Sequence, residues 1–336
     1  MKRFEGYMHG INLGGWLSQC SNYSEEHYST FIKEEDIHTL AEWGLDHIRL
    51  PIDYLVIEDE DGTIRESGFS HIDDCISWCR KYGLNLILDL HKTKGFSFDN
   101  NPNDNIMFEN KDLRNRFITI WKRLALRYGK TDIVAFELLN EIANIEPSLW
   151  NSLATEAITE VRKIAPDKKI IIGGTQWNSV HTLSRLNIPL DENIVYNFHF
   201  YEPFLFTHQC AYWLPVISHI TMRYRGNMED YRNCSRKMQC FGSGLYNTDE
   251  MGKEFMNALI VEAVIAAEKA GVPIYCGEYG VIDTAEISDT LTWYQDICAV
   301  FEKYGIGRAA WTYKQKDFGL TDPHYSTQLD KIIQCL

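Results

Sequence analysis

No run of apolar residues in this chain approaches the length that spans a bilayer, so the sequence points to no membrane partner. Positive charge is also scarce: 33 Lys and Arg against 47 Asp and Glu leave a formal net charge of -14. That balance argues against nucleic acid, because phosphate binding needs clustered cations. A glycine-rich phosphate loop is missing after the first strand-like segment, which weighs against a dinucleotide-binding sheet. Neither a fixed-period repeat nor a low-complexity segment interrupts the chain. Residues 1–10 carry no basic head followed by an apolar signal core, so a cytoplasmic protein is expected, or a secreted one if a leader has been removed. The 9 cysteines are an odd number, and several fall on apolar helix faces or strands, which suits free thiols in a reducing compartment. Cys75 and Cys79 are spaced CxxxC without a His or Cys partner nearby, so neither a metal site nor a cofactor is expected. Cys234 and Cys240 lie in a loop-rich stretch and could pair under oxidising conditions.

What is present in abundance is aromatic and apolar: 45% hydrophobic residues and 13% aromatic, with 9 Trp and 18 Tyr. This excludes a disordered chain and supplies the flat rings that sugar-binding clefts use. Strand-like and helix-like segments alternate with little length between them. Strands are expected at 9–16, 47–52, 84–91, 133–141, 169–177, 194–201, 273–280 and 307–314. Helices are expected from about 33, from 70 with Ser70 as N-cap, over 112–128 and 148–164, near 180, and over 251–270, 288–304 and 327–334. Ile72, Cys75, Ile76 and Cys79 recur at helical spacing, as do Leu113, Phe117, Ile120 and Leu124. Eight βα units predict an α/β fold, a (β/α)8 TIM barrel filling residues 1–336 as one catalytic domain, with function at the C-terminal ends of the strands. A doubly wound sheet is the structural alternative. The rhythm breaks at 202–250, where about fifty residues rich in rings (Phe204, Phe206, Tyr212, Trp213, Tyr224, Tyr231, Phe241, Tyr246) and containing Arg223, Arg225 and Arg232 predict an insertion subdomain over the barrel mouth.

Two of the strand-like segments, IVAFELLNE (133–141) and PIYCGEYG (273–280), run apolar and then deliver a glutamate, Glu141 and Glu278. Buried parallel strands that end in an acid present it at an active-site rim. A facing pair of carboxylates is the equipment of glycoside hydrolysis. A surface glutamate at a strand end would explain either one alone, and a satisfied core histidine would explain His199. Yet Arg49, His91, Asn140, His199, Tyr201 and Trp311 fall at strand ends as well, and so many polar and aromatic residues there together point to one cleft.

The strings GINLGGW, HIRLPIDY, LDLH, FELLNE, YNFHFY, YCGEYG and AAWTYK, in this order and spacing, resemble glycoside hydrolase family 5, most of all its compact bacterial endoglucanases of the cellulase C type. The first string is shared in style with the family's exo-β-1,3-glucanases. The resemblance covers about residues 10–314. It implies a retaining β-glucan hydrolase acting on β-1,4 and mixed β-1,3/1,4 bonds, with Glu141 as acid/base and Glu278 as nucleophile. It implies Asn140 as donor to the sugar 2-hydroxyl, His91 and His199 as cleft histidines and Trp311 as a stacking platform. The expected partner is a β-glucan polysaccharide or oligosaccharide, and the expected state a monomer. Arg49 and Tyr201 are expected to lower the pKa of Glu278, and the charge of Glu278 to raise that of Glu141. Trp213 is a candidate ring for sugars beyond the cleavage point. One departure stands out: His91 is followed by Lys92, Thr93 and Lys94, where such enzymes often show a second histidine. A mannanase or exo-acting β-glucosidase on the same machinery, and a catalytically silent sugar-binding barrel, are the alternatives; the latter would be expected to have lost one of the two glutamates.

Overall fold

The computed structural model describes residues 1–99, 105–143, 145–238 and 248–336. Eight parallel strands close into a barrel in the order of the chain: β1 (His9–Asn12), β2 (His47–Asp53), β3 (Asn85–Lys92), β4 (Val134–Glu137), β5 (Ile170–Gly173), β6 (Ile194–Phe200), β7 (Ile274–Tyr279) and β8 (Gly307–Ala310). Every described strand residue except His9, Asn85 and Lys92 is buried. Burial on both faces is what makes these segments read as continuous apolar runs rather than alternating ones.

Side chains alternate across a strand, so every second residue enters the barrel. The lower interior layer is apolar, with Ile87, Ala135, Ile171, Val195, Tyr275 and Ala309 closed from below by Phe4 and Tyr7. Two residues further along, the interior turns polar: Asn12 pairs in register with Arg49, Asp89 with Glu137, and Gly173 with Asn197. Above that layer the ladder breaks. The β6–β7 register shifts between Phe198 and His199, and the β7–β8 register between Cys276 and Tyr279. Bulges of this kind re-aim side chains beside active sites. Here Gly277 absorbs the shift: a Cβ on it would stand 2.7 Å from Asn197 and 3.0 Å from His199.

Several expected boundaries move. β1 ends at Asn12, β4 at Glu137 and β5 at Gly173, each four residues short of its apolar run; beyond β1 and β4 the pairing thins to isolated backbone bonds, Leu13 N to Arg49 O, Leu138 N to Ile171 O and Asn140 N to Leu90 O. The helix expected to be capped by Ser70 begins at Glu66; the Ser70 hydroxyl instead donates back to the Glu66 carbonyl, the usual fate of a serine inside a helix. The connection near residue 180 is a 3-10 helix, Val180–Arg185. All ten non-glycine residues described with positive φ lie in loops that follow the C-terminal ends of strands: Gln19, Glu141, Gln176, Trp177, Asn178, Cys210, Arg225, Gln315, Lys316 and Asp317. Such strain collects where function fixes the backbone.

In residues 202–250 the rings divide. Phe206, Tyr224 and Tyr231 are buried in the main core, whereas Tyr212 and Trp213 are 76% and 40% exposed. Arg223 pairs with Asp289 and Arg225 with Asp296, fastening the segment to the helix Ile287–Tyr304. Phe241 and Tyr246 lie outside the described residues, as does Cys240. The eight described cysteines are free. Cys75 and Cys79 are buried on the inner face of the helix Glu66–Tyr82. No described helix is long and apolar enough to cross a membrane.

Candidate active site

Arg49 organises the mouth of the barrel. Its guanidinium, fully buried, holds Glu137 through two bonds of 2.7 and 2.9 Å. It also donates to Asn12 (2.8 Å), Asn140 (2.8 Å) and Glu278 (2.9 Å), and meets Asp89 at 3.0 Å. One planar fork thus ties residues from β1, β3, β7 and the end of β4 into one plane, a task lysine could not perform.

Glu278 is 5% exposed. Its Oε1 takes the Arg49 bond and its Oε2 accepts from the Tyr201 hydroxyl at 2.9 Å. Glu141 stands four residues past β4 with φ 42, its Oε1 2.9 Å from His199 Nδ1. The same nitrogen is 3.6 Å from Glu278 Oε2. One carboxylate oxygen of Glu141, one of Glu278 and this imidazole nitrogen all lie within 4.8 Å of one another. They are the one group of three among the described residues near enough to share a cation; one hydrogen bond, His199 to Glu141, lies within it, and Glu278 is held from outside it by Arg49 and Tyr201.

The remaining expected residues converge on the same place. His91 donates through Nδ1 to Asp89 at 2.6 Å and accepts at Nε2 from Gln19 at 3.0 Å, with Asn140 Nδ2 at 3.5 Å. Its ring lies parallel to Trp311, centroids 5.7 Å apart. Trp311 rests on Gly14, where a Cβ would come within 2.8 Å of the indole; this is the physical content of the double glycine in GINLGGW. Trp213 stands one ring further out: it meets His208 edge-on, and His208 meets Tyr201. Lys92 pairs with Asp99 and lies over Phe98, which itself packs edge-on against His91, so the cation is set one ring back from the imidazole.

Protonation differs from expectation in two respects. Arg49 and Tyr201 do pull the Glu278 pKa down, but burial outweighs them and carries it up to about 7. Arg49 divides its single charge among Glu137, Asp89 and Glu278, so it cannot offset the desolvation of each. Burial, rather than the charge of Glu278, is the first cause that lifts Glu141, to about 8. Both carboxyls are therefore held above the ordinary carboxylate range. Burial also lowers His199 to about 4 and pushes His91 well below its usual range, so both stay neutral.

A stability prediction follows from the sign of the Glu141 shift. Its pKa is about 8 in the fold against an ordinary 4.5, so the folded protein holds the proton more tightly and loses stability as pH rises from 4.5 to 8. At about 1.4 kcal/mol per pKa unit the cost reaches the order of 4 kcal/mol at pH 8. Glu141→Gln is therefore expected to unfold at the wild-type denaturant concentration near pH 4.5 and at a clearly higher one at pH 8. A difference independent of pH would refute it.

The sequence reading missed Glu137, Asp89, Asn12 and Asn197, although the first two were signalled: a carboxylate inside an apolar strand run must meet a buried cation. It also missed Gln19 and Asn178, for which no local pattern gives a sign.

Residues 10–317 match the family model for cellulase, glycosyl hydrolase family 5. The chain belongs to that family. Among its relatives, cellodextrinase A of Ruminococcus flavefaciens is 43% identical over 312 residues, 92% of this chain and 86% of that protein. Endoglucanase C of Acetivibrio thermocellus is 40% identical over 315 residues, 92% of each chain. Cel5A of Thermotoga maritima, solved with cellobiose and with mannotriose, superposes with TM-scores of 0.76 and 0.75 at 25% identity, over 97% of both chains in the first case and 98% and 97% in the second. Family 5 enzymes are retaining glycoside hydrolases, and the carboxylate spacing here suits retention: inversion leaves room for a water, with carboxyls about 6.5–9.5 Å apart, against about 5–5.5 Å for retention.

Proposed function

We propose that the protein is a retaining endo-hydrolase of β-1,4-glucans and mixed β-1,3/1,4-glucans. The observation that carries this reading is the carboxylate pair within 4.8 Å, one member held by Arg49 and Tyr201 and the other by His199. Glu278, as carboxylate, attacks the anomeric carbon while Glu141 gives its proton to the departing glycosidic oxygen. That step neutralises Glu278 as an ester and leaves Glu141 ionised. Glu141 then takes a proton from water, whose oxygen attacks the same carbon and releases Glu278. Asn140, its Oδ1 anchored on Arg49, has amide hydrogens left for the sugar 2-hydroxyl, a contact that strengthens as positive charge grows at the anomeric carbon. The indole of Trp311 supplies a flat face for the ring being cleaved.

The names of the relatives favour glucan, while mannotriose bound to Cel5A keeps mannan as the second reading. Product analysis on barley mixed-linkage glucan, carboxymethyl cellulose, cellohexaose, laminarin and mannan in parallel tests both. Soluble oligosaccharides from the first three are expected; turnover confined to mannan, or glucose as sole product from chain ends, would overturn the proposal.

Residues 202–250 are read as a subdomain forming one wall of the glycan cleft, with Trp213 stacking on sugars beyond the scissile bond. Trp213→Ala is expected to lower kcat/KM on long glucan by about fivefold, since ring-stacking contacts contribute on the order of 1 kcal/mol. An aryl cellobioside confined to the central subsites should lose less than twofold. Equal losses on both would assign the ring to folding alone.

All of these residues come from one chain, so the reading needs no second copy, and the eight free described cysteines suit a monomer in the reducing cytoplasm. Elution near 39.0 kDa with most thiols titratable after unfolding without reductant would support this; a dimer or two or fewer free thiols would contradict it.

A further inference from the structure

Beyond β5 the chain does something costly. Gln176, Trp177 and Asn178 adopt φ of 55, 54 and 54 in succession, a left-handed turn that L-residues avoid at roughly 1–2 kcal/mol each. The turn is held by backbone bonds from Gln176 N to Ala143 O and from Trp177 N to Ile142 O, at 3.3 and 2.9 Å, so it is built against the segment that follows Glu141. Its result is to bury the Asn178 side chain completely, with Nδ2 3.3 Å from His199 Nε2. Room is provided by glycine: a Cβ on Gly173 would lie 2.2 Å from Asn178 Oδ1, and one on Gly277 would lie 3.0 Å from His199 Nε2.

Among the described residues Asn178 Oδ1 has no hydrogen-bond partner. That vacancy fixes the amide orientation. With the amide reversed, two N–H donors would face a place that offers no acceptor, whereas as it stands one oxygen and one N–H are left over, and a buried unpaired N–H is rarer and costlier than an under-satisfied carbonyl. The amide nitrogen therefore faces His199 and donates to it. A neutral imidazole carries one donor and one acceptor nitrogen, so if Nε2 accepts from Asn178, Nδ1 carries the hydrogen and donates to Glu141 Oε1. Among the described residues Glu141 Oε2 has no hydrogen-bond partner and is the oxygen left for the proton.

We propose that Asn178 is a positioning residue that sets the tautomer of His199 and thereby confines the Glu141 proton to Oε2, the oxygen that serves the leaving group. This rests on the reading of Glu141 as the acid. The arrangement needs no rotation between the two halves of the reaction. Nδ1–H supports Oε1 whether Glu141 is acid or carboxylate, and only Oε2 gains and loses the proton. The groups that face His199 are Glu141, Glu278, Arg49, Glu137 and Asn178; of these Asn178 is the one hydrogen-bonded to Nε2, whereas Glu141 and Glu278 face Nδ1.

The test uses two variants that tolerate a positive φ. Asn178→Gly deletes the amide, and Asn178→Asp replaces its donor by an acceptor. On a cellobioside with a poor leaving group, kcat/KM is expected to fall about 30-fold in Asn178→Gly and further in Asn178→Asp, whereas on the dinitrophenyl cellobioside, which needs no proton, the loss should stay below threefold. Equal losses on both substrates, or none on either, would overturn the proposal. Nitrogen-15 NMR of the unsubstituted protein provides a readout independent of folding in the variants: His199 is expected as the Nδ1–H tautomer in wild type and as Nε2–H or imidazolium in Asn178→Asp. An Nε2–H tautomer in wild type would refute it. Failure of the underlying reading is recognised separately, because Glu141→Ala would then show no leaving-group dependence.

Discussion

Glu278→Gln is expected to retain binding of cellooligosaccharides and to lose turnover by about 10⁵-fold or more, the scale seen when a nucleophile is removed from a covalent mechanism. The amide keeps the volume of the acid, its one oxygen can still accept from Arg49, and its NH2 can donate to the Tyr201 hydroxyl oxygen in place of the bond that Glu278 accepts, so the ground-state complex survives. It cannot form the glycosyl ester at any pH. The substitution also removes one of the three carboxylates that meet Arg49, so Glu137 and Asp89 keep a larger share of its charge and the fold is not expected to weaken. Isothermal titration with cellotetraose beside steady-state kinetics checks both halves. Turnover within 100-fold of wild type would remove Glu278 from the reaction, and loss of binding together with turnover would mark the residue as structural.

The second large effect belongs to Glu141→Ala and depends on the substrate. Where the leaving group is a sugar, its oxygen must be protonated as the bond breaks, and loss of the acid is expected to cost about 10³–10⁴-fold in kcat/KM, in the range that general acid catalysis supplies. With dinitrophenyl cellobioside the first step survives and the second, which needs a base for water, becomes limiting, so the glycosyl-enzyme accumulates as a burst. Azide requires no base and should then restore kcat and yield the β-azide. An α-azide would mean a single inverting displacement. The pH profile carries an independent sign: the basic limb of wild-type activity, which reports loss of the Glu141 proton near its raised pKa of about 8, should vanish in this variant on the activated substrate, while the acidic limb, set by Glu278 near about 7, should remain.

Much of this was legible in the chain because a TIM barrel writes its function at fixed places. A strand buried on both faces reads as an apolar run, and a polar residue ending such a run has few places to point but the cleft. Arg49, His91, Asn140, Glu141, His199, Tyr201, Glu278 and Trp311 are expected at one cleft for this reason, and the structure brings them together. Boundaries were less legible. Leu138 and Leu139 are as apolar and as buried as the strand before them, yet they lie past the end of β4, because burial in the core continues where the regular ladder stops and one backbone bond from Leu138 N to Ile171 O remains. The left-handed turn at 176–178 was unreadable, since a conformation imposed by the backbone bonds of Ile142 and Ala143 leaves no trace in local propensity. The inner shell was half visible. Glu137 and Asp89 interrupt apolar runs with charge, and a buried carboxylate requires a partner; the two carboxylates and Arg49 could have been matched by their equivalent depth on neighbouring strands. Asn12 and Asn197 carry no charge to betray them. The pKa balance at Glu278 could not be read either, because it depends on how many acids share one guanidinium, a count that only the closed barrel supplies.

The central claim, a covalent intermediate on Glu278 assisted by Glu141, is tested most directly by trapping with dinitrophenyl 2-deoxy-2-fluoro-β-cellobioside and mapping the labelled peptide by mass spectrometry. The fluorine slows both steps and the activated phenolate rescues only the first, so the ester should persist. The account predicts a single label on Glu278, released with recovery of activity when cellobiose is added as acceptor. A label on any other residue, or inactivation without one, would contradict it.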